Sequence, residues 1–383
     1  MIDGLRGDAG VNTFTHLRQV SDTLSDLVER RARFFEMECA ATGTPLCEGQ
    51  VTVMWGGGKD STLTLILACA LSDLTGCCIN AITMAHPGLS IDTLLNVRTI
   101  INELQVRHEW WQFRKPVSSP AEAESYWSLL YKVLAPATAF HPRFMCIGCN
   151  FGSIVTEYSA LHHHKSHFLA TGNSRAELSV FDEWTINLKK QFAGKIAFPD
   201  VTGKPSLDYY RLWWAVYHGL LGELAAVKSK VDFFLDESYY LFSLPCEGDI
   251  IGRVRSLPLL EDDQLSYNPA AHRDVLSSFG WRLPGDIQGG TESDCMMPAA
   301  IAELDIRRSG IKSYLVHLQT AVDALQPLPE MQDRAIEWVT AGRSSIEGKR
   351  LLSKFGVEAV SENGEMLVSP IALALVQELL PVR

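Results

Sequence analysis

The sequence predicts an α/β protein with a doubly wound, mainly parallel sheet and helical additions at both ends. Three observations carry that expectation. A β-branched run at residues 51–55 leads through Gly56-Gly57-Gly58 into an apolar stretch at 61–71, which reads as strand, glycine-rich loop and buried helix. Strand-like and helix-like segments then alternate as far as residue 171, the pattern of a parallel sheet covered on both faces. With 383 residues, 46% of them hydrophobic and 21% charged, the chain has a globular balance and room for one large or two ordinary domains.

Taken in order, residues 13–39 read as one amphipathic helix, because Leu17, Val20, Leu24, Leu27 and Val28 recur at helical spacing. Gly43, Pro45 and Gly49 end it. A second strand is expected at 78–84, closing on His86-Pro87-Gly88, followed by a helix at 91–104 and a third strand at 108–113. A helical insertion at 121–134, a helix at 146–161 and a strand at 166–171 complete the alternation. Farther on, 207–224, 301–325 and 331–352 read as helical, and the aromatics Tyr209, Tyr210, Trp213, Trp214 and Tyr217 suit a core or a subunit interface. The expected division is a helical segment at 1–50, an α/β domain at 51–261 and a mostly helical region at 262–383.

A formal net charge of -11 disfavours a long, sequence-independent grip on a nucleic acid, which relies on Lys and Arg releasing counterions. No segment reaches the roughly 18 unbroken apolar residues of a membrane span, and no basic, then apolar, leader opens the chain. The expected location is therefore cytoplasmic. The 9 cysteines are an odd number, which favours metal binding or plain burial over disulfides. Cys69, Cys77 and Cys78 lie in apolar runs and are expected in the core.

Gly56-Gly57-Gly58-Lys59-Asp60-Ser61-Thr62 sits where a strand meets a helix, so backbone N–H groups and the helix dipole can converge on an anion. It is not a Walker A loop, whose glycines are spaced differently. It resembles the SGGxDS signature of the PP-loop ATP pyrophosphatases at every position but the first, where Gly56 stands for serine. The resemblance spans roughly residues 51–174 and implies a HUP-like fold in which this loop holds the β,γ-pyrophosphate of ATP and leaves the α-phosphate open to attack. It assigns Gly56, Gly57, Gly58, Lys59, Ser61 and Thr62 to phosphate and Asp60 to Mg2+ or to loop geometry. It places adenine beside the strand end around Met84, and Gly172 on the nucleotide side.

Cys146-Ile-Gly-Cys149 opens an expected helix, where the dipole lowers thiol pKa and favours metal or redox use. Together with Leu169-Ala-Thr-Gly-Asn173 it resembles the tRNA 2-thiolation branch of the same family. That likeness implies a third cysteine, Cys295 in preference to Cys246, and a [4Fe–4S] cluster with one open iron for sulfide. All four thiolates together would suit structural Zn2+ instead. Ser174-Arg175-Ala176-Glu177 replaces the acidic pair of that branch.

The expected activity is an ATP-dependent sulfurtransferase in which Lys59, Asp60 and Cys149 serve catalysis. It adenylates a carbonyl oxygen of a small-molecule acceptor such as a nucleobase, releases pyrophosphate and installs sulfur from sulfide or a cysteine desulfurase. Three alternatives stay open: an amide-forming PP-loop enzyme with structural zinc, a tRNA thiolation enzyme and a non-catalytic nucleotide-binding partner protein. Enzymes of this type are commonly homodimers. His162-His163-His164 and His167 are expected to form a solvated helix end, since adjacent helical residues do not share a face.

Overall fold

A computed structural model of the chain describes residues 11–86, 88–112, 115–119, 157, 160–172, 254–260, 269–282, 306, 310–312, 316, 357–360 and 366–368. The segments expected to be helical at 121–134, 207–224 and 331–352, and Cys146, Cys149, Cys246 and Cys295, lie outside these residues.

The amino-terminal helix is two helices, α1 (Thr13–Val20) and α2 (Asp22–Thr42). Asn12 caps α1 by accepting from the Thr15 N–H at 2.8 Å. Ser21 between them is extended, with φ -162° and ψ 122°, and its N–H closes α1 on the Leu17 carbonyl at 2.8 Å. The expected single helix is therefore corrected: the chain turns extended at Ser21, although the apolar spacing carries on across it. Leu24, Leu27, Val28 and Phe35 bury the inner face of α2, and Gly43 ends it in the left-handed region at φ 68°.

Strand β1 (Gln50–Met54) feeds α3 (Lys59–Thr75), which is buried without a break from Thr62 to Ser72. A helix apolar on every side belongs in a core and cannot lie on a surface. There follow β2 (Cys78–Met84), α4 (Ile91–Leu104), β3 (His108–Gln112), β4 (Lys115–Val117), β5 (Phe168–Ala170), β6 (Arg255–Ser256) and α5 (Pro269–Ser278). Ser90 caps α4 by accepting from the Thr93 N–H at 3.0 Å. Strands β7 (Val357–Val360) and β8 (Met366–Val368) form a separate antiparallel pair.

The main sheet has the order β4-β3-β2-β1-β5-β6, with every neighbouring pair parallel except β3 with β4. The protein is thus an α/β molecule with a mixed, mostly parallel sheet. From β1 the chain moves outward through β2 and β3, and β5 then pairs with the other side of β1. The carboxyl ends of β1 and β5 therefore flank a topological switch point, where open α/β sheets bind ligands.

Strand alternation sorts the two faces. Val51, Val53, Trp55 and Ala81 join one cluster with Leu24, Leu63, Ile66, Phe168 and Phe279, while Ile82 and Trp111 pack with Ala160 in another. Burying a side chain the size of leucine or phenylalanine contributes about 1.5–3 kcal/mol, so the first cluster dominates the stability. Val275, Leu276, Phe279 and Trp281 belong to it, which builds residues 269–282 into the core of the sheet.

Cys69 and Cys77 are buried as expected, but Cys78, the first residue of β2, is exposed. That expectation is corrected because Cys78 lies at the open end of β2, and full burial begins farther along the strand. Among the described residues, no helix is long and apolar enough to cross a membrane.

Candidate functional site

The loop between β1 and α3 is built around glycine geometry. Gly57 has φ 86°, and a Cβ there would stand 2.8 Å from both Thr93 Cγ2 and Val97 Cγ2 of α4. Gly58 is the N-cap of α3 and, being glycine, has no side chain with which to cap it. The first N–H groups of α3 are thus presented at the switch point together with the positive end of its dipole.

Gly172, two residues beyond β5, closes the other side. A Cβ there would lie 2.7 Å from Ser61 N and 3.0 Å from Ser61 Cα, so only glycine lets this strand end approach the first turn of α3 so closely. The Thr64 hydroxyl donates to the Thr171 carbonyl at 3.2 Å and fixes the same approach. The structure brings Gly56, Gly57, Gly58, Lys59, Asp60, Ser61 and Gly172 into one neighbourhood.

Two side chains from the far end of the chain complete it. Trp281 Nε1 donates to the Gly57 carbonyl at 3.1 Å, and Asn96 on α4 holds the Arg282 backbone by accepting from its N–H at 2.9 Å and donating to its carbonyl at 2.7 Å. His272 on α5 is wholly buried, and its Nδ1 stands 3.4 Å from both Lys59 Nζ and Asp60 Oδ1. Lys59 also donates to Asp60, forming a Lys–Asp–His cluster at the start of α3. Burial pushes the Asp60 carboxyl upward, but the His272 hydrogen bond and the Lys59 charge outweigh it and hold the group below its ordinary value. Sequence spacing could not reveal His272 or Trp281, since both reach the loop across more than half the chain.

Thr62 and Met84 are placed differently. The Thr62 hydroxyl is buried and accepts from Trp55 Nε1 at 2.9 Å, so its side chain braces β1 against α3. Met84 is buried at the end of β2, where the next residue, Ala85, donates its N–H to the Trp111 carbonyl at 2.7 Å. Beneath the loop, the Thr83 hydroxyl donates to the Trp55 carbonyl at 2.7 Å and lies 2.9 Å from His108 Nε2. Burial lowers His108 and His86 to about 4 each, so both imidazoles are neutral at pH 7.

The chain matches no known family model and no curated protein.

A second cluster of ligand-type side chains lies on the sheet face that carries Trp111. Glu109, His163 and His164 each offer a ligand atom there, all within 4.8 Å of one another. His163 and His164 are adjacent, yet they converge because the helical residues 160–163 stop there. The Ser166 N–H bonds back to the Leu161 carbonyl at 2.9 Å and the Lys165 N–H to the His162 carbonyl at 3.2 Å, with Lys165 left-handed at φ 49°. This is a Schellman closure, which reverses the chain just after His164, whose own N–H still bonds to the Ala160 carbonyl at 2.9 Å. The expectation of a solvated helix end is corrected for His164, whose side chain is only 4% exposed. Burial lowers the His164 pKa, the nearby Glu109 charge opposing it only in part.

Proposed function

We propose that the chain is a PP-loop ATP pyrophosphatase of HUP-like fold, which cleaves ATP between the α- and β-phosphates to adenylate a carbonyl oxygen. The observation that carries this reading is the position of Gly56–Ser61 at the switch point, with a glycine at the helix start and the Lys59–Asp60–His272 cluster beside it. Backbone N–H groups at the start of α3 and the Lys59 ammonium bind the β,γ-pyrophosphate. Gly172 puts no side chain of its own against the Ser61 N–H.

Asp60 suits magnesium, because its carboxylate stays ionised and is partly open to solvent, with 39% of the side chain exposed. Magnesium bound there would neutralise phosphate charge. His272, buried against both neighbours, fixes the directions of Lys59 and Asp60 and is a positioning residue. The acceptor oxygen attacks the α-phosphorus, its bond to pyrophosphate breaks, and the oxygen leaves later as AMP when the incoming nucleophile displaces it.

Sulfur is the nucleophile favoured by Cys146 and Cys149, with Cys295 as their third partner in an iron–sulfur site. This part rests on the sequence resemblance, and a small-molecule acceptor fits the acidic charge better than tRNA does.

The test is ATP titration by calorimetry, followed by product analysis after incubation with candidate carbonyl acceptors. The expected result is ATP binding that Lys59→Ala weakens, with AMP and pyrophosphate as products. ADP and phosphate as products, or no ATP binding by the folded wild type, would refute the reading.

A further inference from the structure

We propose that Glu109, His163 and His164 form a binding site for a divalent transition cation of the zinc class, separate from the glycine-rich loop. Two imidazoles and a carboxylate are a ligand set that suits such cations, and three protein ligands leave a fourth position open.

The geometry supplies two independent arguments. His164 Nε2 is buried and has no hydrogen-bond partner, although Glu109 Oε2 stands only 3.2 Å away. The two atoms are close without forming a well-aligned hydrogen bond, so a cation between them would satisfy both. Two ligands about 2.0–2.1 Å from a tetrahedral zinc are themselves about 3.3 Å apart, close to the separation seen here. His163 is at the surface and can turn to complete the set.

The second argument is what surrounds the ligands. Trp111 Nε1 donates to Glu109 Oε2 at 3.0 Å, and Arg107 Nη2 donates to Glu109 Oε1 at 2.9 Å. Each carboxylate oxygen has two lone pairs, so Oε2 keeps one for a cation while the indole fixes its direction. His163 and His164 also lie at the carboxyl end of a helical segment, the negative end of its dipole, which favours a cation. The Arg107 charge opposes binding, but with its side chain 63% exposed the repulsion is weakened by the high dielectric of the surrounding water.

Co2+ is the probe, titrated into the full chain and followed by visible absorption, with Zn2+ competition to rank affinity. The expected result is one Co2+ held without a thiolate-to-cobalt charge-transfer band and displaced by Zn2+. His163→Ala and His164→Ala should each weaken it at least tenfold. Because His163 is exposed, its variant keeps the fold, and an unchanged circular dichroism spectrum verifies that. Trp111→Phe, which removes the outer donor together with part of a buried ring, should weaken binding about 10–100-fold. Unchanged affinity in both histidine variants, a thiolate band on the bound cobalt, or no Co2+ bound at all would overturn the proposal. None of these outcomes depends on ATP binding.

Discussion

The indole of Trp281 donates to the Gly57 carbonyl, fastening the glycine-rich loop from a residue 224 positions farther along the chain. The bond is buried, and Trp281 itself is only 2% exposed. Trp281→Phe keeps most of the apolar volume and removes the donor, leaving the Gly57 oxygen without this partner. The expected cost is about 1–3 kcal/mol of folding stability, read from the urea midpoint, with weaker ATP binding in calorimetry.

Gly172→Ala tests the close approach of β5 to α3. The added methyl would meet backbone atoms of Ser61, which cannot rotate away as a side chain would. The strand end or the helix start must shift, and ATP affinity should fall at least tenfold while the far-ultraviolet dichroism is kept. Wild-type affinity in the alanine variant would show that the contact is not needed for binding.

Asp60→Ala and Cys149→Ala should both abolish product formation, yet they differ upstream. Losing Asp60 removes the partner of Lys59 and His272, so ATP binding should fall as well. The cysteine variant should bind ATP as the wild type does. Equilibrium ATP binding and pyrophosphate release, measured on the same samples, separate the two steps.

Glu157 gives stability a pH dependence of predictable sign. Burial raises its carboxyl to about 8, whereas glutamate in an unfolded chain ionises near 4.3, roughly. Between those values the folded protein holds a proton that the unfolded chain has released, so stability falls as pH rises through the window and levels off above it. Glu157→Gln removes the titration. Denaturation curves from pH 5 to pH 8 should be flatter in the variant by on the order of a few kcal/mol.

What the sequence disclosed was local. The glycine-rich loop and α3 were readable because three glycines and an unbroken apolar run leave little else for those residues to be, and β2 and α4 fall where the pattern places them. The break at Ser21 was hidden, because the apolar repeat runs on through it. The burial of His164 is hidden for a related reason: Lys165 adopts a left-handed conformation without the glycine or asparagine that usually announces one. His272 and Trp281 were out of reach altogether. Nothing near either residue refers to residues 57–60, and only the packing of α5 against α3 brings them there.

The joining of α5 to the core also sets an order of events during synthesis. At about 5–20 residues per second, the ribosome delivers Trp281 about 10–45 seconds after Gly57. Until then the loop stands without its clamp, and the places of Val275, Leu276 and Phe279 are bare apolar surface. The nascent chain therefore carries its half-built site as a bare apolar patch for most of its translation.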